Sequence, residues 1–215
     1  NTELVHILSE GDKVLDTPLP LMGGKGVFTK ALDDALINGE IDIAVHSFKD
    51  IPTELPEGIA IGAILERENP DDVIVCRNGI DFLNKETAII ATSSNRRKSQ
   101  WLQRYPNHQI VDIRGNVDTR IQKLKKSNWD AAIFAAAGLI RLELEHEIAQ
   151  SLDWMLHAPA QGAVAVVYPE GDEAIFTALQ YLHHLETAAC TLAERDFLNE
   201  LSGGCSAPVG AEVHI

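Results

Sequence analysis

Short apolar runs alternate along this chain with longer segments in which apolar residues recur at helical spacing. The runs "TELVHIL", "IDIAVHS", "DDVIVC", "AIIATSS", "HQIVDIRG", "WDAAIFAAAG" and "AVAVVY" read as strands. Between the first two, "GVFTKALDDALINGE" places Phe28, Leu32, Ala35 and Leu36 on one helical face and stops at the Asn38-Gly39 cap pair. Further on, "RRKSQWLQRY" and "VDTRIQKLKK" separate successive strands as helices, and residues 172–201 are helical almost throughout, with a break at His183-His184. Repeated strand–helix alternation of this kind predicts an α/β protein with mainly parallel sheets, built from two βαβ series of similar architecture.

Composition narrows the picture. The chain has 215 residues, 45% hydrophobic and 23% charged, with a net charge of −14, which argues against a general nucleic-acid-binding surface and makes any anion site local. The cysteines Cys76, Cys190 and Cys205 are odd in number and form no CxxC pair, so neither a disulfide framework nor a metal site is expected, and a reducing, cytoplasmic setting fits. Cys76 and Cys190 lie on apolar faces and read as core residues. No apolar run approaches the length of a membrane span and no signal peptide opens the chain, so no membrane role is expected.

Candidate chemistry gathers just after strands, where open α/β sheets bind ligands. Phe48-Lys49-Asp50-Ile51-Pro52 follows one strand; Thr92-Ser93-Ser94-Asn95-Arg96-Arg97 follows another. Arg114 and Arg120 follow a third, and Arg141 a fourth. Helix starts capped by hydroxyls favour anions, and arginine forks match carboxylates, so the inferred ligand carries several carboxylates or phosphates. No Walker A or GxGxxG loop accompanies them, which weakens the phosphate reading. Taken singly, each arginine reads more readily as a solvated surface charge than as a ligand contact, Asp50 reads equally as a turn aspartate, and His46 reads more readily as a structural histidine at a strand end than as a general base. His183 and His184 are adjacent, so on a helix they do not face one metal together. The stretch "SGGCSAPVG" sets Cys205 in a glycine-framed loop that holds the backbone open for something bulky to reach the sulfur.

The stretches "GGKGVFTKALDDAL", "DIAVHSFKDIPTELPEG", "ATSSNRRKSQ", "IRGNVDTRIQKL", "AAAGLIRLEL", "PAQGAVAV" and "AERDFLNELSGGCSAPVG", in this order, resemble the porphobilinogen deaminase (hydroxymethylbilane synthase) family. The resemblance implies a cytoplasmic, monomeric transferase of heme and tetrapyrrole biosynthesis. It condenses four porphobilinogen molecules, with loss of ammonia, onto a dipyrromethane cofactor and releases hydroxymethylbilane by hydrolysis. It implies that Cys205 carries the dipyrromethane through a thioether, that Asp50 is the catalytic aspartate, and that Lys49, Ser94, Arg96, Arg97, Arg114, Arg120 and Arg141 bind cofactor and substrate. Asp50 would stabilise the cationic azafulvene left when ammonia departs.

The same resemblance implies two domains like those of type II periplasmic binding proteins, residues 1–66 with 163–182 and residues 67–162, and the start of a small α+β third domain at 183–215. Its departures are also legible. The family's N-terminal strand has no counterpart before Asn1, and the chain stops at Ile215, ten residues after Cys205. Asn95 replaces a leucine and Ala160 a glycine, both changes expected to be tolerated. The rival reading is a non-catalytic receptor for a small carboxylated ligand; it accounts for the arginines but gives the glycine-framed cysteine no task.

Overall fold

The computed structural model describes residues 2–7, 29–201 and 208–215. Two sheets organise it. The first has three strands in the order β1–β8–β2, formed by β1 (Ala44–Ser47), β8 (Val164–Pro169) and β2 (Ile59–Ile64). The second has five, in the order β5–β4–β6–β3–β7, formed by β3 (Asp72–Cys76), β4 (Ile89–Ala91), β5 (Gln109–Val111), β6 (Ala131–Ala135) and β7 (Ile148–Ser151). Helices α1 (Lys30–Ile37), α2 (Asn95–Arg104), α3 (Val117–Lys126), α4 (Ala136–Ile140), α5 (Glu173–Leu179) and α6 (Leu185–Glu200) connect or cover them.

The α/β class stands, but the sheets are less parallel than the alternation predicts. β1 and β2 run the same way, yet β8 lies between them and pairs antiparallel with both. A late strand of opposite direction therefore separates two strands that run the same way. In the second sheet β4 is parallel to β5 and β6, whereas β3 pairs antiparallel with β6 and β7. β2 and β7 are not among the runs read from the sequence: glycine interrupts "IAIGAI", and "IAQS" is a half-exposed edge strand. Residues 2–7, read as a strand, carry no regular structure, and Phe28 lies outside the described residues.

The helices begin and end where local chemistry dictates. Ser94 caps α2 by accepting from Arg97 N at 3.4 Å, and Asn116 caps α3 by accepting from Thr119 N at 2.8 Å. α1 ends at Asn38, with Gly39 at φ 69°. The helical tail breaks at His183-His184, where Ile64 N donates to His183 Nδ1 and Thr187 N donates to His184 Nδ1, so both histidines serve the backbone.

Four apolar clusters fill the two faces of each sheet. The one behind the first sheet holds Phe48 and Ile51, the residues that flank Lys49-Asp50, together with Leu36, Val167 and Ala188. Trp101, Ile90, Ile74 and Ile133 centre one face of the second sheet; Leu124, Val75, Phe134 and Leu139 centre the other. Cys76 and Cys190 are half-buried, and burial pushes the Cys76 thiol up to about 11, so it is inert at neutral pH.

Candidate active site

β4 is followed by β5 on one side and by β6 on the other, a switch in strand order of the kind that opens a crevice at the carboxyl ends of strands. A cleft of about 190 Å³ lies there, lined by Ser47, Lys49 and Asp50 after β1, Arg97 and Arg120 from the first turns of α2 and α3, and Arg141 after α4. Phe134, Ala135, Gly162 and Ala163 complete its floor. Three arginines, one lysine and one aspartate from four separate stretches of sequence thus meet on one cavity.

The turn Phe48–Asp50 is fixed from several sides. Phe48 and Ile51 are anchored in the core, and Phe48 N donates to Ala163 O at 3.0 Å. Lys49 Nζ donates to Gln161 Oε1 at 3.0 Å, while Asp50 is exposed to the cleft. Burial pulls the Lys49 ammonium down to about 8, with Arg97 and Arg96 adding to the effect and Asp50 and Asp72 opposing it. Arg120 stacks on Phe134 at 5.1 Å, and burial beside Arg97 lowers it to about 10. Its buried Nε has no hydrogen-bond partner among the described residues, a donor left over beside the cleft.

The other expected residues are placed differently. Arg96 is 3% exposed and does not line the cleft: Nη1 donates to Asp72 Oδ2 at 2.6 Å and to Leu156 O at 2.7 Å. Arg97 also commits Nε and Nη2 to Asp72 Oδ1, at 2.9 and 2.7 Å, while keeping a face on the cleft. Ser94 serves as the cap of α2, and Arg114 lies outside the lining, its carbonyl accepting from Lys123 Nζ. Arg141 Nη2 donates to Gly162 O at 2.6 Å. Cys205 lies outside the described residues. Half-buried His46 has its Nε2 buried without a partner among the described residues, and burial lowers its pKa against the opposing pull of Asp33 and Asp50. Among the described residues no group of three or more His, Cys, Asp or Glu is placed to hold a metal ion.

Several residues that build the site escape a strand-end reading. Asp72, 0% exposed, is a hub that takes Arg96, Arg97 and Gln161 Nε2, and the two guanidiniums hold its carboxyl far below the usual range, against burial. Gln161 thereby links Lys49 to Asp72. Glu194 takes Arg67 in a bidentate pair at 2.7 and 2.9 Å and also accepts from Ala160 N at 2.7 Å. Ala160 itself has φ 61° and is fully buried, so the alanine expected to be tolerated sits in the left-handed region that favours glycine. A Cβ on neighbouring Gly162, at φ 91°, would come within 2.3 Å of Glu68 O. There the two segments crossing between the sheets touch backbone to backbone.

Fold and cleft define an α/β protein with two sheets and a crevice lined by three arginines, a lysine and an aspartate. The chain belongs to the porphobilinogen deaminase family: residues 1–177 match "Porphobilinogen deaminase, dipyromethane cofactor binding domain" and residues 188–215 match "Porphobilinogen deaminase, C-terminal domain". It is 44% identical to the porphobilinogen deaminase of Syntrophotalea carbinolica over 99% of this chain and 68% of the relative. It is 45% identical to that of Trichlorobacter lovleyi, over 97% of this chain and 68% of the relative. Among solved structures, the second substrate binding domain of a putative amino acid ABC transporter from Streptococcus pneumoniae aligns with a TM-score of 0.44 at 9% identity, covering 81% of this chain and 74% of that one. No helix among the described residues is long and apolar enough to cross a membrane.

Proposed function

We propose that this chain condenses porphobilinogen stepwise, with loss of ammonia, onto a dipyrromethane held on Cys205, and that hydrolysis then releases hydroxymethylbilane. The observation that carries this reading is the meeting of Asp50 with Lys49, Arg97, Arg120 and Arg141 on one cleft. The cations fit the acetate and propionate arms of a pyrrole chain, and the unpartnered Arg120 Nε is a donor suited to such an arm. Ser94, Arg96 and Arg114 complete the proposed binding set, Arg96 chiefly by holding Asp72 and through it Arg97. When bound, the dipyrromethane supplies the pyrrole from which the product chain grows.

Asp50 accepts the pyrrole N–H of the substrate and offsets the positive charge that develops as the amine leaves. The turn that bears it is fixed before substrate arrives, so little reorganisation is needed at the moment of reaction. The receptor reading has no comparable support, since a receptor needs no carboxylate among its cations. We further assign residues 1–66 with 163–182 and 67–162 as two domains and 183–215 as the start of a third. The working state is a cytoplasmic monomer with porphobilinogen as its small-molecule substrate.

The first test is the intact mass under denaturing conditions, with a peptide map around Cys205. An excess of two linked pyrroles on Cys205 is expected, and Cys205→Ala should lack it entirely; an adduct retained by the variant would place the attachment elsewhere. A second test uses pH. The free enzyme loses the Lys49 cation as pH rises through about 8, so kcat/KM should show a basic limb there. Lys49→Arg, which stays protonated, should move that limb upward; an unmoved limb refutes the role of Lys49. Stability responds in the opposite sense. The folded pKa lies below the ordinary lysine value of 10.5, so the unfolded chain binds this proton more tightly, and the cost to folding shrinks as pH rises from about 8 toward 10.5.

A further inference from the structure

We infer that Arg195, on α6, is a positioning residue for the turn that carries Asp50. The inference deepens the deaminase reading and rests on it. Arg195 is 6% exposed, 145 residues beyond Asp50 in sequence, yet its guanidinium grips that turn: Nη1 donates to Phe48 O at 3.1 Å and to Ile51 O at 2.8 Å, and Nη2 to Pro52 O at 2.6 Å. Its flat face lies over the Phe48 ring at 4.4 Å. Three carbonyls of five consecutive residues are thus collected by one side chain, and the two residues between them that contribute no carbonyl are Lys49 and Asp50, the pair that lines the cleft.

Such a grip is specific to arginine. Only a planar fork presents donors in fixed directions to several carbonyls while stacking on an aromatic ring; an ammonium has three donors around one point and no flat face. The turn is short, and an internal bond that closes it, Ile51 N to Phe48 O, is long at 3.3 Å. External support from Arg195 therefore sets where Asp50 stands. The neighbouring Glu194 clamps Arg67 and Ala160, so α6 holds its own position against both crossing segments while Arg195 holds the turn. The same helix leads on to Cys205, five residues after its last residue Glu200.

The experiment compares Arg195→Lys with Leu198→Ala, a buried α6 residue outside the grip, in the intact protein. Readouts are kcat, KM and hydrogen exchange at the Ile51 amide. For Arg195→Lys, kcat should fall about 30- to 100-fold with KM held within about threefold, since a misplacement of about 1 Å costs on that order. The Ile51 amide should exchange about tenfold faster. Leu198→Ala should lower the melting temperature yet keep kcat within about threefold and Ile51 exchange unchanged. Native kcat and native Ile51 exchange in Arg195→Lys overturn the inference, as does an equal loss of kcat in Leu198→Ala. If the native protein consumes no porphobilinogen, the deaminase reading fails on its own. Ile51 exchange then decides alone: acceleration in Arg195→Lys upholds the grip, and unchanged exchange overturns it.

Discussion

Asp50→Asn is expected to cut turnover by about a thousandfold or more while leaving the protein folded. Asparagine keeps the shape of aspartate and removes its charge, so the pyrrole N–H still finds an acceptor but the positive charge developing on the substrate loses its counter-ion. Deleting one preorganised polar group facing a developing charge costs about 10²–10³ in kcat, and a full charge in a cleft rich in arginine costs at least the upper figure. Asp50 is exposed and its neighbours Phe48 and Ile51 carry the packing, so the melting temperature should move by no more than about 2 °C. Steady-state rates with porphobilinogen and a thermal melt on the same sample check both halves. Native turnover would remove Asp50 from the chemistry. A collateral effect is also expected: Asp50 props up the protonated forms of Lys49 and Arg120, so the basic limb near pH 8 should shift down in this variant.

Asp72→Asn should instead act on the fold. It strands Arg96 and Arg97, which are only 3% and 7% exposed, without the carboxylate between them. Breaking a buried pair by removing one partner costs about 3–5 kcal/mol, a drop in melting temperature of roughly 6–20 °C for a protein of this size. Asp71→Asn, one residue earlier and bonded to Ser151 Oγ at the half-buried end of β7, should cost less than about 1 kcal/mol. Equal melts for the two variants would show that the hub does not hold the second sheet together. The pH sense is fixed: the Asp72 carboxyl titrates below its ordinary value in the fold, so its stabilisation is complete above about pH 4 and disappears as pH falls further.

What the sequence shows and hides follows from the range of the forces involved. β1, β3 to β6, β8 and the main helices are legible because local period and caps such as Ser94, Asn116 and Asn38 decide them. The direction of β8 is not legible, because it depends on a pairing with residues more than a hundred positions earlier. Lys49, Asp50, Arg97, Arg120 and Arg141 were expected together because each follows a strand, and the cleft brings them together. Arg96 and Arg97 look alike in sequence, yet only Arg97 lines the cleft, a difference made by the hub at Asp72. A signal for Glu194 and Arg195 was present: the buried face of α6 runs Thr187, Ala188, Thr191, Glu194, Arg195, Leu198, so two charges fall on the period of the core side. Charges at such positions need partners, and the partners here are Arg67 and the turn of Asp50.

The placement of β8 between β1 and β2 bears on how the chain is made. β1 and β2 have no pairing with each other, and their common partner begins only at Val164, after all five strands of the second sheet. As the polypeptide emerges from the ribosome, β1 and β2 therefore wait for β8 until residue 169 is out, while the five described strands of the second sheet are already present. The second sheet is expected to mature first and to act as the platform on which the first closes. The turn of Asp50 gains its last anchor later still, when α6 arrives with Arg195, so catalytic competence is among the last properties the nascent chain acquires.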